Sequence, residues 1–218
     1  MSEILNSVTG TVNLADGSRL YSPRQGRQGD TIVSQLHGKY TEAMTRGKVW
    51  MATVGVAGIA LITTATGGGH PTIWNPLGSG VILSFISLSY NMLSGTCAPG
   101  AVGWYVTTST GAGAATGAPI VTFTEVAPIN ALVGFGGTSA AKWSPATNTF
   151  TAAPAFYCAA DLSTSTYVVT AVTPPVSNII YYDGALGLYP GTALSLCATM
   201  ATTTAKFVPR LVWEEIPL

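Results

Sequence analysis

From Lys48 onward the sequence consists of short segments rich in β-branched and aromatic residues, each followed by Gly, Pro, Asn or Ser. Ile82–Ser89 divides into two alternating sets of residues, the period that places successive side chains on opposite faces of a strand. About ten such segments, with no long helical pattern between them, are typical of an all-β fold. They predict a jelly-roll-like two-sheet sandwich, although the number of strands alone does not fix the topology.

Residues 1–47 differ from this β-rich part in charge and in pattern. Six of the nine Lys and Arg residues precede Val49, and Ser22–Gly29 is a loop sequence rich in Gly and Gln. After that loop, apolar side chains recur every three or four residues, which predicts a short amphipathic helix over Ile32–Thr45, ended by Gly47. We therefore expect an extended N-terminal arm (1–47) that contains a short helix, followed by a β-sandwich body (48–218).

Charged residues make up only 8% of the chain, against about 25% in a typical soluble domain. Between Val49 and Ala205 the only basic residue is Lys142. So little charge indicates that much of the surface is buried in an assembly, or is kept hydrated by Thr and Ser hydroxyls. The net charge is zero, which gives a general nucleic-acid-binding role no electrostatic support.

The apolar run Val49–Thr66 raises the question of a membrane span. It is interrupted by Gly55 and Gly58, and it falls short of the roughly 20 apolar residues that a transmembrane helix needs. A strand buried on both faces also reads as a continuous apolar run. We therefore expect two adjacent buried strands here, and no membrane partner.

The sequence contains no pattern that carries catalysis. Its two histidines, His37 and His70, lie in no motif with a nucleophile, and Glu214 and Glu215 would face opposite ways in a strand. Phosphate-binding loops, EF-hand loops and zinc-ligand spacings are absent from the sequence. We expect no enzyme and no cofactor. A hydrolase of unrecognised type would need a pocket that joins one of the histidines to an acid.

The cysteines are odd in number, widely spaced and without a C-x-x-C motif: Cys97, Cys158 and Cys197. This usage argues against a metal site or a dense disulfide framework. Small buried apolar residues are the simplest interpretation, and one disulfide pair remains open.

The arm is the candidate binding region. Arginine pairs with carboxylates through two hydrogen bonds, so an acidic patch on a protein partner suits the arm. Nucleic acid suits it less well, because three loop arginines with no aromatic stacking platform are a weak signal, and a solvated loop is the plain alternative. The candidate partner-binding residues are basic, apolar or aromatic: Arg19, Tyr21, Arg24, Arg27, Leu36, Tyr40 and Arg46.

Three stretches of the chain resemble a group of tailed-bacteriophage virion proteins. They are DGSRLYSPRQGRQGDTIVSQLHGKYTEAMTRGKVW near the N-terminus, the turn WNPLGSGVIL, and the ending LVWEEIPL. The segment from Gly95 to Ile180 matches only in its Ala-, Thr- and Gly-rich composition. The resemblance implies a structural protein and no enzyme, such as a head decoration (cement) protein on the capsid exterior that binds the major capsid protein.

Low charge agrees with surfaces buried between copies, and closed symmetry is the rule for such oligomers, so we expect a homotrimer. The alternative is a tail or head fibre, or a receptor-binding module that holds a glycan on its loops. That alternative predicts exposed aromatic side chains near Lys142 and Trp143, and it makes Trp50 and Tyr189 further stacking candidates.

Overall fold

The structure is a computed structural model. It describes residues 11–13, 19–21, 38–61, 71–108, 120–145, 148–150, 155–163, 166–169, 177–199 and 204–218. The chain divides into two compact units, Met1–Thr41 and Glu42–Leu218. Among the described residues, no helix is long and apolar enough to cross a membrane.

The described elements are one short helix and fifteen strands. The first unit contains β1 (Thr11–Asn13) and β2 (Arg19–Tyr21), which pair with each other in antiparallel fashion. The next elements in chain order are α1 (Thr41–Thr45), β3 (Val49–Thr53), β4 (Thr72–Asn75), β5 (Val81–Cys97), β6 (Gly100–Thr108), β7 (Ile120–Thr122), β8 (Ile129–Asn130) and β9 (Lys142–Ser144). The last are β10 (Thr149–Phe150), β11 (Ala155–Ser163), β12 (Tyr167–Val169), β13 (Ser177–Leu188), β14 (Thr192–Ala198) and β15 (Lys206–Pro217).

Two antiparallel sheets pack together in the second unit, which also contains a two-stranded sheet of β7 and β10. One has the order β8-β3-β15-β5, with β13 and β12 both pairing along the far edge of β5, and the other has the order β9-β4-β14-β6-β11. Eight strands of these sheets can be given the letters B to I in chain order: β3, β4, β5, β6, β11, β13, β14 and β15. The two sheets then have the strand orders B-I-D-G and C-H-E-F. This is the strand order of a jelly roll. The predicted two-sheet sandwich is therefore confirmed, and β8 and β9 widen the sheets at strands B and C.

The core lies between the sheets and is filled by the inward side chains of both. Strand β15 is an example, because its buried and less buried residues alternate. Phe207, Pro209, Leu211 and Trp213 are buried, whereas Val208, Arg210 and Val212 are half-buried or exposed. The largest fully buried side chains come from both sheets: Trp104, Trp143, Trp213, Tyr90 and Phe85. Burial of each such side chain stabilises the fold by about 1.5–3 kcal/mol.

The helix predicted over Ile32–Thr45 is shorter in the structure. Lys39 and Tyr40 form a turn, and α1 begins only at Thr41, whose N–H donates to the Gly38 carbonyl at 3.0 Å. A glycine at position 38 costs more backbone entropy in a helix than other residues do, which accounts for the late start. The predicted portion before Gly38 lies outside the described residues.

The predicted end of the helix is confirmed. Gly47 has a φ of 68°, its N–H donates to the Met44 carbonyl at 2.9 Å, and the Lys48 N–H donates to the Ala43 carbonyl at 2.9 Å. These two bonds form a Schellman motif, which favours glycine at the left-handed position.

The expectation of two buried strands in Val49–Thr66 is met only in part. Val49–Thr53 is β3, but Val54–Leu61 is irregular, with one isolated bridge from Ile59 to Phe207. The paired glycines Gly55 and Gly58 explain the interruption, because the Gly58 N–H closes a turn onto the Gly55 carbonyl at 3.0 Å. The rest of the run lies outside the described residues.

Candidate functional site

The predicted partner-binding residues fall partly outside the described residues. Arg24, Arg27 and Leu36 lie there. Arg19 and Tyr21 are in β2, where they pair through the backbone with Asn13 and Thr11 of β1. The described residues therefore give these side chains no shared site, and their role stays a prediction.

Tyr40 and Arg46 flank the helix. The Lys39 ammonium lies 5.2 Å from the centre of the Tyr40 ring. The Arg46 guanidinium forms an ion pair with Glu42 at 2.5 Å, and both side chains are largely exposed. An exposed pair of this kind contributes only about 0–1 kcal/mol. The pair therefore adds little to the stability of the helix.

The junction between helix and sandwich is held by side chains from distant segments. We call Gly47, Lys48, Asn130, Phe135 and Glu215 the junction cluster. The Gly47 carbonyl accepts a hydrogen bond from the Asn130 amide at 2.8 Å, and the Lys48 carbonyl accepts one from the Glu215 N–H at 2.9 Å. The Phe135 ring covers Gly47, where a Cβ atom would overlap it. The chain therefore enters the sandwich at a fixed point.

Phe135 and Asn130 are themselves fixed. The Phe135 ring packs edge-on against Trp50, with ring centres 6.3 Å apart, and also packs against Gly137. The buried Asn130 side chain, which donates to the Gly47 carbonyl, also accepts a hydrogen bond at its Oδ1 atom from the Leu132 N–H at 2.8 Å. The segment from Asn130 to Gly137 thus clamps the start of β3.

Glu215 connects this segment to the last strand. Its Oε1 atom accepts hydrogen bonds from the Ser139 hydroxyl at 2.5 Å, the Ala140 N–H at 2.9 Å and the Ala141 N–H at 3.3 Å. The carboxylate is buried, while Glu214 on the opposite face is half-buried. The expected opposition of these two acids is confirmed, and the buried one is structural.

A cavity of about 340 Å³ lies at the edge of β3. Its lining is mostly apolar and includes Met51, Val126, Ile129 and Trp143, with Arg210 as its one cation. The Trp143 indole N–H donates to the Thr53 carbonyl at 3.1 Å. No pair of titratable groups converges on this cavity, so it offers no acid–base chemistry among the described residues.

Titratable groups also occur elsewhere in the described part of the chain. No cluster of His, Cys, Asp and Glu there could hold a metal ion, and both histidines fall outside it. Cys97 and Cys197 are reduced thiols, and burial raises the pKa of each, which keeps them protonated and unreactive. Burial raises the pKa of Tyr105 to about 12.

The glycan-binding alternative loses its predicted aromatic platform. Trp143 is 1% exposed and Trp50 is 3% exposed, because each is an inward residue of its strand and packs in the core. Lys142 is paired with Glu125 at 2.5 Å. The stacking roles predicted for Trp143 and Trp50 are therefore wrong, and only Tyr189, 60% exposed, remains of those candidates.

Comparisons with protein-family models, curated proteins and solved structures found no match to this chain.

Sequence reasoning missed most of the junction cluster. It placed Gly47 correctly, but it assigned no role to Asn130, Phe135 or Glu215. One available signal was Gly-Phe-Gly-Gly at positions 134–137, since a large aromatic between glycines indicates close packing of the ring on backbone. A second signal was the inward register of Glu215 in an otherwise apolar alternation.

Proposed function

We propose that this protein is a viral structural protein, a decoration (cement) protein of a tailed-bacteriophage head. In this proposal it binds the major capsid protein through its N-terminal arm and stabilises the head from the capsid exterior. One observation carries the proposal: six of the nine Lys and Arg residues precede Val49, whereas Lys142 is the only Lys or Arg from Val49 to Ala205. The proposal involves no enzymatic activity, no membrane and no nucleic acid.

The junction cluster supports an attachment role. A basic segment that holds a partner transmits force to the residues that follow it. At Gly47 and Lys48 that force is resisted by hydrogen bonds from Asn130 and Glu215, which belong to other segments of the second unit. The start of β3 is therefore protected from being peeled out of its sheet.

Low charge on the sandwich supports self-association. A surface with so few charged groups loses little hydration energy when copies pack together, because desolvating a charge is costly. Closed rings are the usual form of such assemblies, and we propose a homotrimer. Sedimentation equilibrium should give three times the chain mass of 22.4 kDa. A monomer at micromolar concentration would contradict this part of the proposal.

The test of partner binding compares two sets of substitutions in the full chain. Arg19, Arg24 and Arg27 changed together to alanine should lower the affinity for heads assembled without this protein by more than tenfold, since hydrogen bonds to charged partners contribute about 1.5–3 kcal/mol each. The matched control removes three cations from the sandwich: Lys142, Lys206 and Arg210 to alanine. It should bind as the wild type does.

Co-sedimentation with such heads measures both sets at low and high salt, because the arm contribution should be screened by salt. Deleting residues 1–41 should abolish binding and leave Glu42–Leu218 folded, with the junction cluster intact. Full occupancy by this truncated chain would overturn the proposal, and so would equal losses in the two substituted proteins.

A further inference from the structure

The cavity at the edge of β3 lies where the chain passes from one sheet to the other. Val126 forms an isolated bridge with Trp143 of β9, and its N–H donates to the Trp143 carbonyl at 2.7 Å. Three residues later, Ile129 pairs with Met51 of β3. Because β9 and β3 belong to different sheets, the segment 126–129 spans one side of the sandwich. This segment and β3 supply most of the cavity lining.

The walls of this cavity offer a ligand one set of side-chain hydrogen-bond donors. The Trp143 indole N–H donates to the Thr53 carbonyl at 3.1 Å, and the Thr53 hydroxyl donates to the Pro209 carbonyl at 2.9 Å. Apart from Arg210, the other lining side chains have no N–H or O–H group: Met51, Ala52, Val126, Ala127 and Ile129. A ligand in the cavity can therefore receive side-chain hydrogen bonds only from Arg210.

Arg210 forms no ion pair with an acid of the described residues. Its Nη2 atom lies 3.8 Å from the Met51 sulfur, which is a weak acceptor. Glu125, next to the cavity wall in sequence, is paired with Lys142. Glu214 lies on the same face of β15 but four residues away, about 13 Å along the strand. At that distance salt screens its charge, since the Debye length is about 8–10 Å. The Arg210 charge is therefore available to a ligand.

The rest of the cavity suits an apolar body. Val126 and Ile129 line it and are exposed, so a ligand that covers them removes apolar surface from water. The volume of about 340 Å³ is at the small end of the range for small-molecule pockets, which is roughly 300–1,000 Å³. These properties favour a small amphipathic ligand.

We propose that this cavity binds a small carboxylate that has an apolar chain or ring. The carboxylate pairs with the Arg210 guanidinium, whose parallel N–H groups match its two oxygens. The apolar part lies against Met51, Val126 and Ile129. A single guanidinium balances one negative charge, so a carboxylate suits it better than a phosphate monoester, which carries nearly two. This site goes beyond the proposed attachment role, because none of its residues belongs to the arm.

The probe is octanoate, titrated into the full-length protein by isothermal titration calorimetry. Two ligands with the same chain length are compared with it: 1-octanol, which has no charge, and octylammonium, which has the opposite charge. Octanoate should bind at millimolar concentration or below. Octanol should bind more weakly, and octylammonium should not bind, because its charge has the same sign as that of Arg210.

Two substitutions in the cavity are paired with two controls outside it. Arg210→Gln should weaken octanoate binding by about 10- to 100-fold, because hydrogen bonds to a charged group are lost, and it should leave octanol binding unchanged. Its control, Lys206→Gln, removes a cation from the same strand and should bind octanoate as the wild type does. Ile129→Glu should also weaken octanoate binding by at least about tenfold, because it places a like charge in the wall. Its control, Val56→Glu, changes an exposed apolar side chain outside the cavity.

Each outcome bears on the proposal. Octanol binding as tight as that of octanoate, or equal octanoate binding by the wild type and Arg210→Gln, would refute recognition of a carboxylate. Equal binding by the wild type and Ile129→Glu would place the ligand outside the cavity. No octanoate binding at millimolar concentration would refute the site. All four variants change residues that are not buried and should melt near the wild-type temperature. A failure of the attachment role would leave these results unchanged, since they are measured on the free protein.

Discussion

Replacing Gly47 with alanine should destabilise the second unit by about 2–3 kcal/mol. The φ of 68° at Gly47 is left-handed, and an alanine there costs about 1–2 kcal/mol. Its Cβ would also displace the Phe135 ring, with loss of an edge contact to Trp50 that contributes about 0.5–1.5 kcal/mol. At this chain length the melting temperature should fall by about 4–12 °C.

Gly78 provides the matched control. Its φ is 78°, and no atom lies within 4 Å of the position that a Cβ would occupy. Gly78→Ala therefore incurs only the free-energy cost of a left-handed backbone at alanine. Any effect of the substitution on the unfolded chain is the same as in Gly47→Ala. Urea unfolding of both variants should show Gly47→Ala as the more destabilised, by about 1 kcal/mol.

A double-mutant cycle assigns that excess to the ring. In a Phe135→Ala background, Gly47→Ala should cost no more than Gly78→Ala, because the obstructing side chain is gone. The reasoning is refuted if the two glycine substitutions cost the same in the wild type. It is also refuted if the excess persists without Phe135, since the contact would then have no part in it.

Glu215→Ala should cost about 2–4 kcal/mol in urea unfolding, because it leaves the Ser139 hydroxyl and two backbone N–H groups without their acceptor. Glu214→Ala, on the other face of β15, should stay within about 0.5 kcal/mol, and equal losses would contradict the structural role of Glu215. Burial raises the pKa of Tyr105 from 10 to about 12, so the folded state favours the protonated phenol. The stability that this protonated phenol gives the folded state is present below pH 10 and is lost as the pH rises toward 12. The urea midpoint should therefore fall over this range, and it should fall less in Tyr105→Phe.

The fold was predictable because its signals are local and repeated. Each strand of a sandwich must present an apolar face, and the chain has enough short β-rich segments to close two sheets. Strand β15 is an example, since the two-residue period of a strand is enough to predict that Glu214 and Glu215 lie on opposite faces. The order of the strands was not predictable, because pairing such as β14 between β4 and β6 joins residues far apart in sequence.

The site was harder to predict than the fold. Charge segregation is a property of composition, so the arm stood out from the sequence. The junction cluster depends on tertiary contacts: Asn130 meets Gly47 only because β8 pairs with β3. The burial of Trp143 has the same origin, since β9 adds to the edge of β4 and directs the indole inward. A lone aromatic in a loop-rich sequence does not reveal which way it faces.

The proposed arm should control the association step of binding. With almost no charge, the sandwich cannot steer encounter with a partner, whereas the basic arm can, because charges at the border of an interface act mainly on the association rate. Biolayer interferometry on immobilised heads should show slower association and a weaker salt dependence for Arg19, Arg24 and Arg27 changed to alanine. Lys142, Lys206 and Arg210 changed to alanine should leave the association rate unchanged. Equal slowing of association in the two substituted proteins would rule out steering by the arm.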